Sequence, residues 1–153
     1  MSNDSAQKPR SAEDLAKASA EAMWREDRAS RHMGMEIIDI GPGRATLRMP
    51  VQDHMVNGLD ICHGGFVFTL ADSAFAFACN SYNQYAVAQH CAVSFLQPAR
   101  RGEMLTATAN EVHRTTRSGI YDIRVTRDDG TVVAEFRGHC RTIKGTHVPE
   151  AAE

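Results

Sequence analysis

The apolar positions of this chain follow three rhythms. Leu15, Ala18, Ala22 and Met23 recur at helical spacing behind Ser11, a cap residue with Asp14 three positions on. They predict an amphipathic packing helix over about 11–28. Residues 1–10 are polar and aperiodic and are expected to be disordered, and 146–153 reads as a flexible tail. Between them, 11–145 is expected to form a single domain.

From Met35 the period drops to two. Met35–Ile40 reads as a strand, Gly41-Pro42-Gly43 as a turn, and Arg44–Met49 as a half-buried antiparallel strand that Pro50 ends. Four more strands are predicted at about 86–96, 105–113, 120–127 and 132–143, with Asp129-Gly130 as a hairpin turn. The third rhythm is a continuous apolar run, FVFTLADSAFAFACN. Its length and its Ala, Leu and Phe content favour helix, and its nearly all-round apolar character predicts burial on every side. A helix, two strands, one long apolar helix and four strands define an α+β chain. The packing solution is an antiparallel sheet curled around the second helix.

Composition narrows the function classes. A net charge of −2 offers no global field for nucleic acid or an anionic membrane. The N-terminus lacks the apolar stretch of a secretory signal. The apolar run, broken by Thr69, Asp72 and Ser73, is shorter than the roughly 20 residues of a membrane span. A cytoplasmic protein is expected. The cysteines Cys62, Cys79, Cys91 and Cys140 show no C-x-x-C spacing, so free thiols and no metal are expected.

Asp72 stands out chemically. An unpaired carboxylate in an apolar helix is costly, and its i−4 and i+3 neighbours are Phe68 and Phe75. One reading is a thin polar stripe with Thr69 and Ser73; the other is catalysis. His63-Gly64-Gly65 opens the same helix, where free N–H groups and glycine's close approach suit a developing oxyanion. Gly64 and Asp72 are eight residues apart, or about 12 Å along the helix axis. One helix cannot bring both to one carbonyl. If both act on one substrate, they come from two antiparallel copies, and a dimer with two equivalent interface sites is predicted.

The segment His63-Gly64-Gly65-Phe66-Val67-Phe68-Thr69-Leu70-Ala71-Asp72, with Asn57 upstream, resembles the active-site segment of hotdog-fold acyl-CoA thioesterases, in the branch serving phenylacetate degradation. Ala78–Ser81, Ser94–Pro98 and Ser118–Asp122 read similarly, so the resemblance covers about 33–145. It implies a hotdog fold, here with an additional N-terminal helix, and hydrolysis of acyl-CoA to free acid and CoA. Phenylacetyl-CoA and hydroxyphenylacetyl-CoA would be the substrates. Asp72 would be general base or nucleophile, and Gly64 the N–H that polarises the carbonyl. Asn57 would position the water or the carboxylate, His63 would orient the site, and Gly65 would border the substrate. The resemblance also implies homodimers that pair into tetramers, and no cofactor beyond the CoA of the substrate.

Because apolar burial opposes ionisation of Asp72, a donor such as Asn57 is expected close to it. Phosphates on CoA call for cations, and Arg100, Arg101, Arg114 and Arg117 are the candidates. His90 either tunes the site or packs. The rival functions are a non-catalytic acyl-CoA sensor, which would have no need of Asp72, and a hotdog hydratase or dehydratase, whose catalytic His and acid stand at other spacings.

Overall fold

The computed structural model describes residues 10–150, so the disorder expected of the first residues falls almost wholly outside it. Ser11 accepts from Asp14 N–H at 3.1 Å and starts α1 (Ala12–Glu26). Asp27 breaks the helix and caps a short α2 (Arg28–His32) through Ser30 N–H at 2.9 Å. The helix expected over about 11–28 is α1, and α2 is a short helix beyond its end that was not expected. Six strands follow: β1 (Glu36–Gly41), β2 (Arg44–Pro50), β3 (Ala86–Phe95), β4 (Met104–Arg114), β5 (Ser118–Arg127) and β6 (Val132–Thr142). Between β2 and β3 lies α3 (Gly64–Cys79).

All pairings are antiparallel, in the order β1-β2-β4-β5-β6-β3. The sheet curls around α3, which touches all six strands. This is the hotdog architecture. Leu47 and Met49 from β2, Leu105 and Ala107 from β4, Ile123 and Val125 from β5 and Phe136 from β6 point at the helix and are buried. Strand alternation sends the polar set to the outer face, where Arg137 pairs with Asp122 at 2.6 and 2.7 Å and Arg124 with Glu135 at 2.6 Å. Gly138 makes room for the core: a Cβ there would sit 2.7 Å from the ring of Phe75.

Two expectations are corrected here. The helix α3 is not buried on all sides, because Gly65, Thr69, Asp72, Ser73 and Ala76 form a half-open stripe along one face. The C-terminal tail is pinned as far as Val148. His147 and Val148 N–H donate to Asn83 Oδ1 at 3.0 and 2.9 Å, and Asn83 Nδ2 donates to Val148 O at 3.0 Å.

Candidate active site at the central helix

His63 caps α3. Its Nδ1 accepts the Gly65 N–H at 3.0 Å, so the imidazole is committed to the helix end and carries its neutral-form proton on Nε2. Phe66 N–H donates to His63 O at 3.0 Å. Among the described residues, this leaves the Gly64 N–H without an acceptor at a positive helix end. Gly64 also has no room for a side chain, since a Cβ would lie 2.9 Å from the ring of Phe95.

The loop before the helix is stiff. Asn57 Oδ1 accepts from Leu59 N–H at 2.9 Å, and Asn57 N–H donates to Ile61 O at 2.9 Å. Val56 bridges Cys62, His63 N–H reaches Met55 O at 2.7 Å, and Cys62 N–H reaches Ala99 O at 2.7 Å. Asn57 therefore stands at the Gly64 end, with its amide nitrogen free of protein acceptors among the described residues. It does not contact Asp72 of the same chain.

Asp72 lies on the open stripe of α3. Thr69 Oγ1 donates to Gly65 O at 2.8 Å and Ser73 Oγ meets Ser30 Oγ at 2.9 Å, so both neighbouring hydroxyls serve structure. Among the described residues no group of the same chain hydrogen-bonds the Asp72 carboxylate. Burial holds its pKa above the ordinary carboxylate value. Burial pushes the Cys91 thiol of β3 up, and the hydrogen bond with Cys140 together with burial pushes the Cys79 thiol of α3 up, with the Asp72 charge adding to both. Phe75 is core, packed on Tyr121 and Phe136, and Phe68 lies against Phe136 with centroids 5.1 Å apart. Phe66 meets His54 and His63.

The four arginines fall into two groups. Arg100 and Arg101 adjoin the loop before α3, through the Ile61–Arg100 bridge, and Arg101 is held by Asp60 at 2.7 Å and Asp53 at 3.6 Å. Arg114 lies at the other end of the helix, its guanidinium 3.6 Å from the centroid of Tyr82. Arg117 is exposed in the same hairpin. Only Arg100 and Arg117 lack a side-chain partner among the described residues. His90 faces its cross-strand neighbour His139, centroids 5.5 Å apart, on the sheet face opposite Cys91, so it packs and does not reach Asp72.

Burial pushes the Cys62 thiol up to about 11, which keeps it neutral beside His63. Among the described residues no three His, Cys, Asp or Glu side chains converge as metal ligands, and no helix is long and apolar enough to cross a membrane.

What sequence reading missed is the place of Phe95 and Cys91. The signal was present in the alternation Cys91, Val93, Phe95, which turns these three toward the helix. A Cβ on Gly64 would meet the ring of Phe95, which places that end of β3 beside the start of α3. Eight helix residues and four strand residues both measure about 12–13 Å.

A carboxylate and an unsatisfied helix-end donor on one hotdog helix are the groups that a thioester-handling site needs. The family model described as the thioesterase superfamily matches residues 59–134, and the chain belongs to that family. It is similar to the acyl-coenzyme A thioesterase PaaI of Escherichia coli K12, being 43% identical over 132 residues, 86% of this chain and 94% of that protein. The solved structure of E. coli PaaI, from the phenylacetic acid degradation operon, superposes with a TM-score of 0.88 at 42% identity, over 89% of this chain and 99% of that one. A PaaI variant from Thermus thermophilus gives 0.74 at 32% identity, over 76% and 100%.

Proposed function

We propose that this chain hydrolyses acyl-CoA thioesters, with arylacetyl groups such as phenylacetyl and hydroxyphenylacetyl as the acyl part, at two equivalent sites of a homodimer. The observation that carries the reading is the matched spacing of α3 and β3. A twofold axis that pairs Gly64 with the partner's Asp72 must pass level with Phe68, midway between them. On β3 the same level is Val93, midway between Phe95 and Cys91. One axis therefore satisfies helix and strand together: edge strands pair antiparallel about Val93 while each Asp72 meets the partner's Gly64.

In that arrangement Gly64 N–H takes the thioester oxygen, and the negative charge that develops there is stabilised by the helix end. The partner's Asp72 delivers the attack, as base on a water or directly as nucleophile, and the CoA thiolate leaves. Asn57, at the Gly64 end, offers its free amide N–H to that carboxylate or its water. This supplies across the interface the donor that Asp72 lacks within its own chain. His63 orients the site by fixing the first turn, and Gly65 borders the substrate. Antiparallel helices also bring the partner's Arg114 and the partner's Arg117 toward the end where Arg100 and Arg101 lie. Cations from both chains thus surround the CoA phosphates. Two dimers pair into a tetramer, no cofactor takes part, and free thiols suit a cytoplasmic setting.

The test is hydrolysis of a panel of acyl-CoAs by wild type and Asp72→Asn. A fall of about 10³-fold with the dimer intact is expected. Unaltered turnover would remove Asp72 from the mechanism. A wild type that binds acyl-CoA and hydrolyses none would make the protein a sensor. Single turnover in ¹⁸O-water separates the two roles of Asp72: label enters the product directly if water attacks, and the carboxylate if Asp72 does.

A further inference from the structure

Phe95 is anomalous among the six phenylalanines of the chain. Phe66, Phe68, Phe75, Phe77 and Phe136 each have an aromatic neighbour, and Phe95 has none among the described residues. It lies on the helix side of β3, yet it is 54% exposed, while Cys91 and Val93 on the same face are half-buried. The tip of its ring abuts Gly64, so closely that a Cβ on Gly64 would sit 2.9 to 3.3 Å from Cζ, Cε1 and Cε2. The remainder of the ring is open. A large apolar surface left uncovered beside the one unsatisfied first-turn donor calls for an apolar occupant.

We propose that Phe95 is the specificity-determining residue of the acyl pocket, its ring forming the face on which the aryl part of the substrate lies. The inference rests on the dimeric thioesterase reading. With the carbonyl oxygen at Gly64 N–H, the acyl arm starts about 3 Å from that nitrogen. The first wall it meets is the ring packed on the Gly64 Cα. Pairing about Val93 sets Phe95 opposite the partner's Cys91, so the ring flanks the gap between Gly64 and the partner's Asp72. It therefore contacts the acyl group beside the carbonyl that donor and attacker share. An aromatic ring in that place favours a flat aryl partner, through offset or edge contact, over a flexible alkyl chain of similar area.

The test compares kcat/KM for phenylacetyl-CoA and hexanoyl-CoA in wild type, Phe95→Leu and Phe95→Trp, with sedimentation confirming the dimer. In Phe95→Leu the aryl-to-alkyl ratio should fall about ten-fold, while Phe95→Trp keeps it. Equal losses on both substrates, or an unchanged ratio in an active Phe95→Leu, would overturn the assignment and leave the thioesterase reading standing. A wild type inert on both thioesters would overturn both.

Discussion

The open sheet has two edges, and they are built differently. β1 is six residues long, is bulged between Ile37 and Asp39, carries Glu36 and Asp39, and has α1 packed beside it. Arg44 ties the group together, bonding Glu13 and Asp39 at 3.1 Å each. β3 is ten residues long, and AVAQHCAVSF contains no acid, lysine or arginine. Val87, Phe95 and Leu96 beside it are 43–54% exposed. Short, kinked, charged and covered edges resist pairing, whereas a long uncharged one is a template for another strand. The chain defends one edge and leaves the other free. The undefended strand is also the one whose Phe95 lies against Gly64.

The largest expected effect follows from attacking that difference. Val93→Arg places a charge at the axis of pairing and should give monomers with hydrolysis reduced about 10³-fold, since each protomer then holds half a site. Ile38→Arg on the guarded edge should alter neither. Sedimentation and turnover of the pair decide it, and an active Val93→Arg monomer would end the shared-site reading.

A second experiment sharpens the comparison by mixing chains. Asp72→Ala and Gly64→Ala homodimers should each be inactive, the latter because the added methyl displaces Phe95 or the carbonyl. Random re-pairing yields half heterodimers with one intact site of two, so about a quarter of wild-type activity should return. No recovery from verified heterodimers would place both groups within one chain.

Smaller effects concern charge. Because burial raises the Asp72 pKa, the acidic limb of kcat should lie above the ordinary carboxylate range, read from a pH profile. The same shift has a stability sign. At neutral pH the unfolded chain carries an ionised Asp72 that the folded chain accommodates at a cost, and below the carboxylate range both forms are protonated and the cost vanishes. Asp72→Asn should therefore raise Tm at neutral pH, and the gain should fade as pH falls through the folded value. The smallest change is expected from Glu13→Gln. Its exposed bond to Arg44 should move Tm by less than about 1 °C, and less still in high salt.

Periodicity carried most of the fold. Six alternating segments became six strands within a residue or two, and the apolar run became α3. The short α2 was not legible, because Arg28–His32 holds a single apolar residue, Ala29, and shows no period. Nor was the open stripe of α3, since Ala76 and Gly65 look as apolar as the residues they leave uncovered. The site was legible as a residue list and less so as a set of partners. His63 and Gly65 bond each other, Asn57 spends its oxygen on its own loop, and Arg101 is taken by Asp60. Such local bonds depend on loop geometry that composition does not encode.

Taken by itself, the sequence determined the antiparallel strands, the long helix, and the odd placement of Asp72 eight residues beyond Gly64. Periodicity and covalent spacing are properties of the chain alone. Only the tertiary structure decided which strand lies bare beside that helix, and that Phe95 stands against Gly64. Those are contacts between segments far apart in sequence, set by how the sheet closes around α3. The carboxylate that began as an anomaly of composition gains its place from the edge it stands beside.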